Sequence, residues 1–306
     1  MSRSEAGCLL FLLAVTLSNA GIARADERKR SLAINGTARE YTLLAPSRVT
    51  EPMPLLIVYH GGGQTAESAR KYTRFDEYAE REKIVVVYPQ GLGNNWNDGR
   101  NSADLMERPA ASTNDLEFTT QIIAQLSSEG LVNPSHVYAT GASNGGLMAL
   151  YAGCMLRGRI AGIAPVVANL PVDWQCRASR LSALFIHGTQ DTFMPYAGGK
   201  VATKYAQRDL GTVLSAEATI GVFKGINGCT GVKETKRLDN VGYDKTIAVV
   251  TVYDCARAPL KRFVVEGGGH TWPGARTRIL ADWLLGNTSE EFSATTEILA
   301  FFKSLN

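Results

Sequence analysis

The sequence has no apolar run of the roughly 20 residues that a membrane-spanning helix needs; its longest, residues 7–17, is much shorter. Stable membrane insertion is therefore not expected. Histidine is scarce, with four in 306 residues, so each can be weighed singly as a base. Cysteine is scarce too. None of the five forms a C-x-x-C pair or lies close to a histidine, which argues against a zinc site or any other metal. An excess of one charge is also lacking: 32 basic residues face 29 acidic ones, for a net charge of +3. The densest basic run, Arg28-Lys29-Arg30, reads as a solvated chain end. No basic stripe interleaves with aromatics, so nucleic acid is not an expected partner. Repeats, low-complexity tracts and linker-like stretches are absent, and nothing points to a protein partner.

What is present begins with a leader. A short polar start with Arg3 precedes the apolar stretch 7–17, and Ala23-Arg24-Ala25 supplies a small-x-small cleavage pattern. This reads as a secretory signal peptide over 1–25, leaving 26–306 as a single catalytic domain and the product extracellular or periplasmic. Cleavage would remove Cys8 and leave Cys154, Cys176, Cys229 and Cys255. An even number in an exported chain suggests two disulfides. Of the three connectivities, the sequence-local pairs Cys154–Cys176 and Cys229–Cys255 are expected.

Apolar strands alternate with amphipathic helices along the rest. Residues 31–34 and 40–44 flank Asn35-Gly36 and read as a hairpin. Buried strands are expected over 54–60, 83–88, 136–140, 160–167, 182–187, 247–253 and 262–265. Helices are expected over 65–81, 114–126, 145–155, 200–210 and 293–304, with a long polar loop at 91–113. Near-continuous Val/Ile/Leu strands separated by helices imply a mostly parallel central sheet with helices on both faces, an α/β architecture. In such sheets reactive residues collect at the carboxyl ends of strands.

One such end carries Gly141-Ala142-Ser143-Asn144-Gly145. A nucleophile on a sharp strand-to-helix turn needs close neighbours, hence glycines two positions either side. Among the histidines, His136 starts the strand that leads to Ser143 and so sits at the wrong end of the sheet. His60 is expected to brace the glycine run after it. His187 ends a strand, but Asp191 just beyond fits the acid role. His270 follows Gly267-Gly268-Gly269 late in the chain and is the expected base. The order Ser143, Asp191, His270 is that of the α/β-hydrolase fold; Asp173 and Asp254 are weaker acid candidates. The oxyanion would meet the N–H of Asn144 and one from the loop His60-Gly61-Gly62-Gly63-Gln64, assigned to Gly62 or Gly63. Preorganised donors of this kind are each worth roughly 3–4 kcal/mol in a transition state.

Together with Trp96-Asn97-Asp98-Gly99-Arg100, His187-Gly188-Thr189-Gln190-Asp191 and His270-Thr271-Trp272-Pro273-Gly274, these motifs resemble the poly(3-hydroxybutyrate) depolymerase-like esterases. Feruloyl and acetylxylan esterases of the first carbohydrate esterase family are close relatives of that group. The resemblance implies ester hydrolysis through an acyl-enzyme, with no metal or organic cofactor, on a small or oligomeric ester. Ala142 and Asn144 depart from many relatives, and no appended polymer-binding segment is seen, so a soluble ester is easier to defend than a solid polymer. Gln64, Trp96 and Trp272 are candidate substrate contacts, and Trp283 a weaker one. Asn35 and Asn287 head Asn-x-Ser/Thr triplets that serve as glycan sites only in a glycosylating host. Two other readings are a non-catalytic binder, which would usually lose a triad member, and a serine peptidase, which would usually carry an extra gating domain.

Overall fold

A computed structural model describes residues 26–106, 112–201, 208–275 and 284–306. The expected leader, the middle of the expected 200–210 helix and Trp283 lie outside the described residues.

Asn35 and Gly36, at φ 50° and 79°, form the turn between β1 (Asp26–Ile34) and β2 (Thr37–Ala45). Positive φ at both positions is what a two-residue hairpin loop needs. Ten strands then build one sheet. Its interior is β3 (Met53–Tyr59), β4 (Val85–Pro89), β5 (Val132–Ala142), β6 (Gly162–Val166), β7 (Ser182–Gly188) and β12 (Leu260–Glu266). β10 (Cys229–Leu238) and β11 (Ile247–Cys255) complete it, in the order β1-β2-β4-β3-β5-β6-β7-β12-β11-β10. The six strands from β4 to β12 run parallel, and both flanks are antiparallel. Every parallel strand therefore delivers its carboxyl end to the same edge.

Helices cover both faces. On one, α4 (Asp115–Ser128), α5 (Asn144–Met155) and α6 (Ala216–Asn227) bury Phe118, Ile122, Leu147 and Phe223 against Leu55, Ile57 and Phe185. On the other, α1 (Ala66–Thr73), α2 (Asp76–Glu82) and α7 (Ala294–Lys303) bury Ala69, Ala79, Ile298 and Phe302 against Leu56, Val58 and Leu184. Burying each large apolar side chain contributes roughly 1.5–3 kcal/mol. β3 shows why parallel strands read as unbroken apolar runs: its side chains alternate between two dry cores.

The structure differs from the sequence reading in several elements. The single helix expected over 65–81 is two, broken where Arg74 turns left-handed at φ 55°. The break sends Phe75 into the core, its ring 6.0 Å from that of Trp272. Lys83 is a left-handed cap (φ 51°) rather than the start of β4. The loop over 91–113 carries a short α3 (Ala103–Met106). Lys200 does not begin a helix; it lies in β8 (Gly199–Lys200), paired with β9 (Thr212–Val213). α6 and β10 fall where no element was assigned. β10 is an edge strand reading Lys-Glu-Thr-Lys-Arg, largely exposed, with no apolar period to reveal it. The disulfides pair as expected: Cys154–Cys176 ties α5 to the loop after β6, and Cys229–Cys255 clasps the edge strands β10 and β11.

Candidate active site

β5 ends at Ala142, and α5 begins one residue after Ser143. Between them Ser143 adopts φ 57°, ψ −123°, a conformation that costs free energy and persists only where surroundings enforce it. Its N–H bonds to Val166 O at 3.0 Å. The flanking glycines are sterically required. A Cβ on Gly145 would stand 2.3 Å from Tyr59 O, and one on Gly141 2.5 Å from the same atom. The elbow is thus pressed directly onto the end of β3.

β7 delivers Asp191 and β12 delivers His270. Gly188 allows the two loops to touch, since a Cβ there would lie 2.5 Å from Gly268 O and Gly269 O. Gln190 N–H bonds Gly268 O at 2.8 Å, and Gly267 N–H bonds Thr189 Oγ1 at 2.9 Å. His270 Nδ1 then meets Asp191 Oδ2 at 2.7 Å. Asp191 Oδ1 accepts the N–H groups of Phe193 and Met194, both at 2.8 Å, so the buried carboxylate is held from two sides. Phe193 stacks on the His270 ring at 5.1 Å. Asn287, whose triplet serves as a glycan site only in a glycosylating host, donates its side-chain amide to Gly267 O at 3.0 Å, and its backbone carbonyl accepts Gly269 N–H at 2.9 Å. It braces the loop that presents His270.

Ser143 and His270 line one cavity of about 570 Å³, together with Gly61, Gly62, Gly63, Gln64, Asn144 and Trp272. The volume suits a small or oligomeric organic ligand. The glycine loop is more sharply defined than the sequence allowed. Gly63 N–H is committed to Asn94 O at 2.8 Å, so Gly63 is removed as an oxyanion donor. Among the described residues neither Gly62 N–H nor Asn144 N–H has an acceptor; the latter heads α5, where backbone donors point outward. Gln64 lines the cavity, but its Oε1 accepts Gly61 N–H at 3.0 Å and closes the turn.

Trp96 does not reach the cavity. It is buried, its ring 4.7 Å from His60 and 5.1 Å from Tyr59, its Nε1 donating to His60 O at 2.8 Å. It anchors a loop rather than contacting ligand. Trp272 is both wall and packing: it lines the cavity, and its buried Nε1 donates to Thr295 Oγ1 at 3.1 Å.

Sequence reasoning passed over a buried polar layer beneath the elbow. Asn144 Oδ1 accepts Trp96 N–H at 2.9 Å, and Asn144 Nδ2 donates to Asp98 Oδ2 at 2.6 Å. Arg100 pairs with Asp98 at 2.7 Å. Behind it Arg39 pairs with Asp115 at 2.6 Å, and Asp115 also takes Asn97 N–H at 2.7 Å. His60 Nε2 accepts Gly91 N–H at 2.9 Å, so its Nδ1 carries the proton donated to Gly61 O. Burial holds the His60 pKa down at about 4. The sequence signal for this layer was limited to the cluster Trp96 to Arg100. Arg100, the last residue of that cluster, also lines the cavity, as do Tyr72 and Arg208, which no motif marks. Among the described residues no cluster of His, Cys, Asp and Glu could hold a metal ion, and no helix is long and apolar enough to cross a membrane.

An open-flanked parallel sheet with an elbow serine, a His–Asp pair and a glycine loop at one edge defines the α/β-hydrolase fold. The family of phospholipases and carboxylesterases matches residues 46–219, more than half of the chain, and the protein belongs to it. It is an ester hydrolase. A putative esterase, NocK of Nocardia uniformis subsp. tsuyamanensis, is 27% identical over 83% of this chain and 76% of its own length. Feruloyl esterase B of Piromyces equi is 29% identical over 71% of this chain but only 39% of its own length. The solved acetyl xylan esterase from Aspergillus awamori shares the fold at 14% identity, with a TM-score of 0.55 over 80% of this chain and 94% of that one.

Proposed function

We propose that the protein is a secreted serine esterase that cleaves carboxylic esters through an acyl-enzyme, with hydroxyalkanoate oligomers or related esters as substrates. The observation that carries this reading is the 2.7 Å His270–Asp191 bond at a cavity also lined by the strained Ser143. Ser143 Oγ attacks the ester carbonyl while His270 Nε2 takes its proton; Asp191 holds Nδ1–H and stabilises the imidazolium. The N–H groups of Asn144 and Gly62 receive the oxyanion. Collapse of the tetrahedral intermediate expels the alcohol, protonated by His270. Water, activated by the same imidazole, then releases the acid.

In Ser143→Ala, hydrolysis of p-nitrophenyl butyrate should fall by roughly 10⁶-fold in kcat. Equal rates in the variant and the wild type would sink the reading. A second reading, a feruloyl or acetylxylan esterase, draws support from the aromatic wall of Tyr72 and Trp272 and from the Piromyces relative. Export rests on the leader pattern over 1–25 and on two disulfides in a chain with no other cysteine beyond that leader. Intact mass of the exported product should correspond to 26–306 as one catalytic domain; a product retaining residues 1–25 contradicts cleavage.

A further inference from the structure

The polar layer beneath the elbow ends on Asn144, whose backbone N–H is one of the two proposed oxyanion donors. The side-chain amide of Asn144 is fully committed. Its Oδ1 accepts Trp96 N–H at 2.9 Å, and its Nδ2 donates to Trp96 O at 3.3 Å and to Asp98 Oδ2 at 2.6 Å. The same stretch of chain grips the glycine loop. Asn94 O accepts Gly63 N–H at 2.8 Å, and Trp96 Nε1 donates to His60 O at 2.8 Å. A Cβ on Gly62 would stand 3.5 Å from Asn144 Cβ, so the two residues that carry the donors pack side by side. Residues 94–98 thus clamp both halves of the oxyanion site.

Asp98 closes this clamp and is itself locked. Its Oδ1 accepts from Arg100 Nε at 2.9 Å and from Arg100 N–H at 3.2 Å, and its Oδ2 accepts from Arg100 Nη2 at 2.7 Å. Arg100 Nη1 donates to Leu210 O at 2.6 Å, which holds the guanidinium from its far side. Both side chains of the pair are buried. Packing alone does not call for them, because apolar residues of similar volume in place of a buried ion pair are often as stable or more so. The charged pair adds direction: a carboxylate fixed by a fork of donors accepts at one place, and an amide bonded to it cannot swing. Asp98 does not line the cavity, so it acts through Asn144.

We propose that Asp98 is a positioning residue for ester hydrolysis: its carboxylate, fixed by Arg100, holds the Asn144 side chain so that the N–H groups of Asn144 and Gly62 converge on one carbonyl oxygen. The inference rests on the esterase reading of this cavity. Preorganised donors act only where the charge develops, and a misplacement of about 1 Å can cost 10²-fold in rate.

The test compares p-nitrophenyl butyrate with its thiono analogue, in which sulfur replaces the carbonyl oxygen. Sulfur is larger and a weak hydrogen-bond acceptor, so the rate ratio of the two esters reads the donors and not the amount of folded enzyme. In Asp98→Ala, kcat on the oxygen ester should fall about 10²-fold with KM within about threefold of the wild type. The oxygen-to-sulfur ratio of kcat/KM should shrink by roughly tenfold. Because Asp98→Ala leaves the Arg100 charge buried and unpaired, Asp98→Leu/Arg100→Met is measured beside it. The double variant should keep a thermal midpoint close to that of the wild type and show the same loss in kcat and the same smaller ratio. A merely structural aspartate would lower the midpoint and leave the ratio unmoved. A ratio unchanged in the folded variants, or failure of both variants to fold, overturns the proposal. Ser143→Ala, assayed alongside, separates the two failures. If it is inactive while the ratio stays fixed, only the role of Asp98 falls. If it is as active as the wild type, the site itself has been misassigned.

Discussion

Asp191 divides its carboxylate between two tasks. Oδ1 receives two backbone N–H groups and shapes its own loop, while Oδ2 faces His270. Asp191→Asn separates them. The amide oxygen can still accept from Phe193 and Met194, so the fold should survive. The amide nitrogen would present a donor to His270 Nδ1 and favour the tautomer protonated at Nε2, which cannot accept the serine proton. In the proposed mechanism kcat should drop about 10⁴-fold with the thermal midpoint little changed. A drop below tenfold in steady-state assays would show that Asp191 does not orient the base. Among the residues around the site, His270 and Asp191 were legible because histidine is rare and the chain order is restrictive. Gly63 and Trp96 were misread for one reason: neither the direction of a backbone N–H nor the facing of an indole is written in a local motif. Gly63 turns its donor toward Asn94, and Trp96 points back under His60.

The elements farther from the site show what periodicity captures. Strands β3, β4, β6 and β7 are buried on both faces and stood out as apolar runs. The break between α1 and α2 did not, because both halves continue one apolar face and no glycine or proline marks the joint. Arg74 and Lys83 instead take left-handed angles at a cost that glycine would avoid. Lys83→Gly should therefore stabilise the protein by about 0.5–1 kcal/mol, offset slightly by loss of the exposed Lys83–Glu80 contact at 3.1 Å. Urea denaturation would check this; a destabilised variant would mean that the ion pair or the lysine stem outweighs backbone strain. At α5 the local and tertiary demands coincide. Its first residues serve the site, and its far end is tied by Cys154–Cys176 to the loop after β6.

For the whole molecule, the two deeply buried histidines set a response to acid. Desolvation lowers the pKa of both His60 and His187 from the ordinary 6.5 to about 4. Below pH 6.5 the unfolded chain takes up protons that the folded chain refuses until about pH 4. Stability therefore falls as pH falls through this window, by about 3 kcal/mol for each histidine at its lower edge. The unfolding free energy of the wild type should decrease from pH 7 to pH 4.5, and His187→Gln should flatten that slope. An unchanged slope in the variant would show that His187 is not held neutral by burial. His187 is the cleaner probe, because its Nδ1 has no partner among the described residues and its Nε2 lies 3.3 Å from Ala168 O, outside the lining of the catalytic cavity.

The sequence alone determined the α/β architecture, the elbow at Ser143 and the order of its expected partners, and it favoured one cysteine pairing among three. These follow from local spacing, from the rarity of certain residues and from strand hydropathy, all of which survive without coordinates. Tertiary structure alone decided which glycine N–H remains unpaired, which tryptophan meets the cavity, and that the buried Tyr72 hydroxyl has no partner among the described residues. Those outcomes depend on how loops from β3, β6, β7 and β12 close over one another at a common edge. Hydrogen-bond partners there are separated by tens to hundreds of residues, so no local pattern carries them.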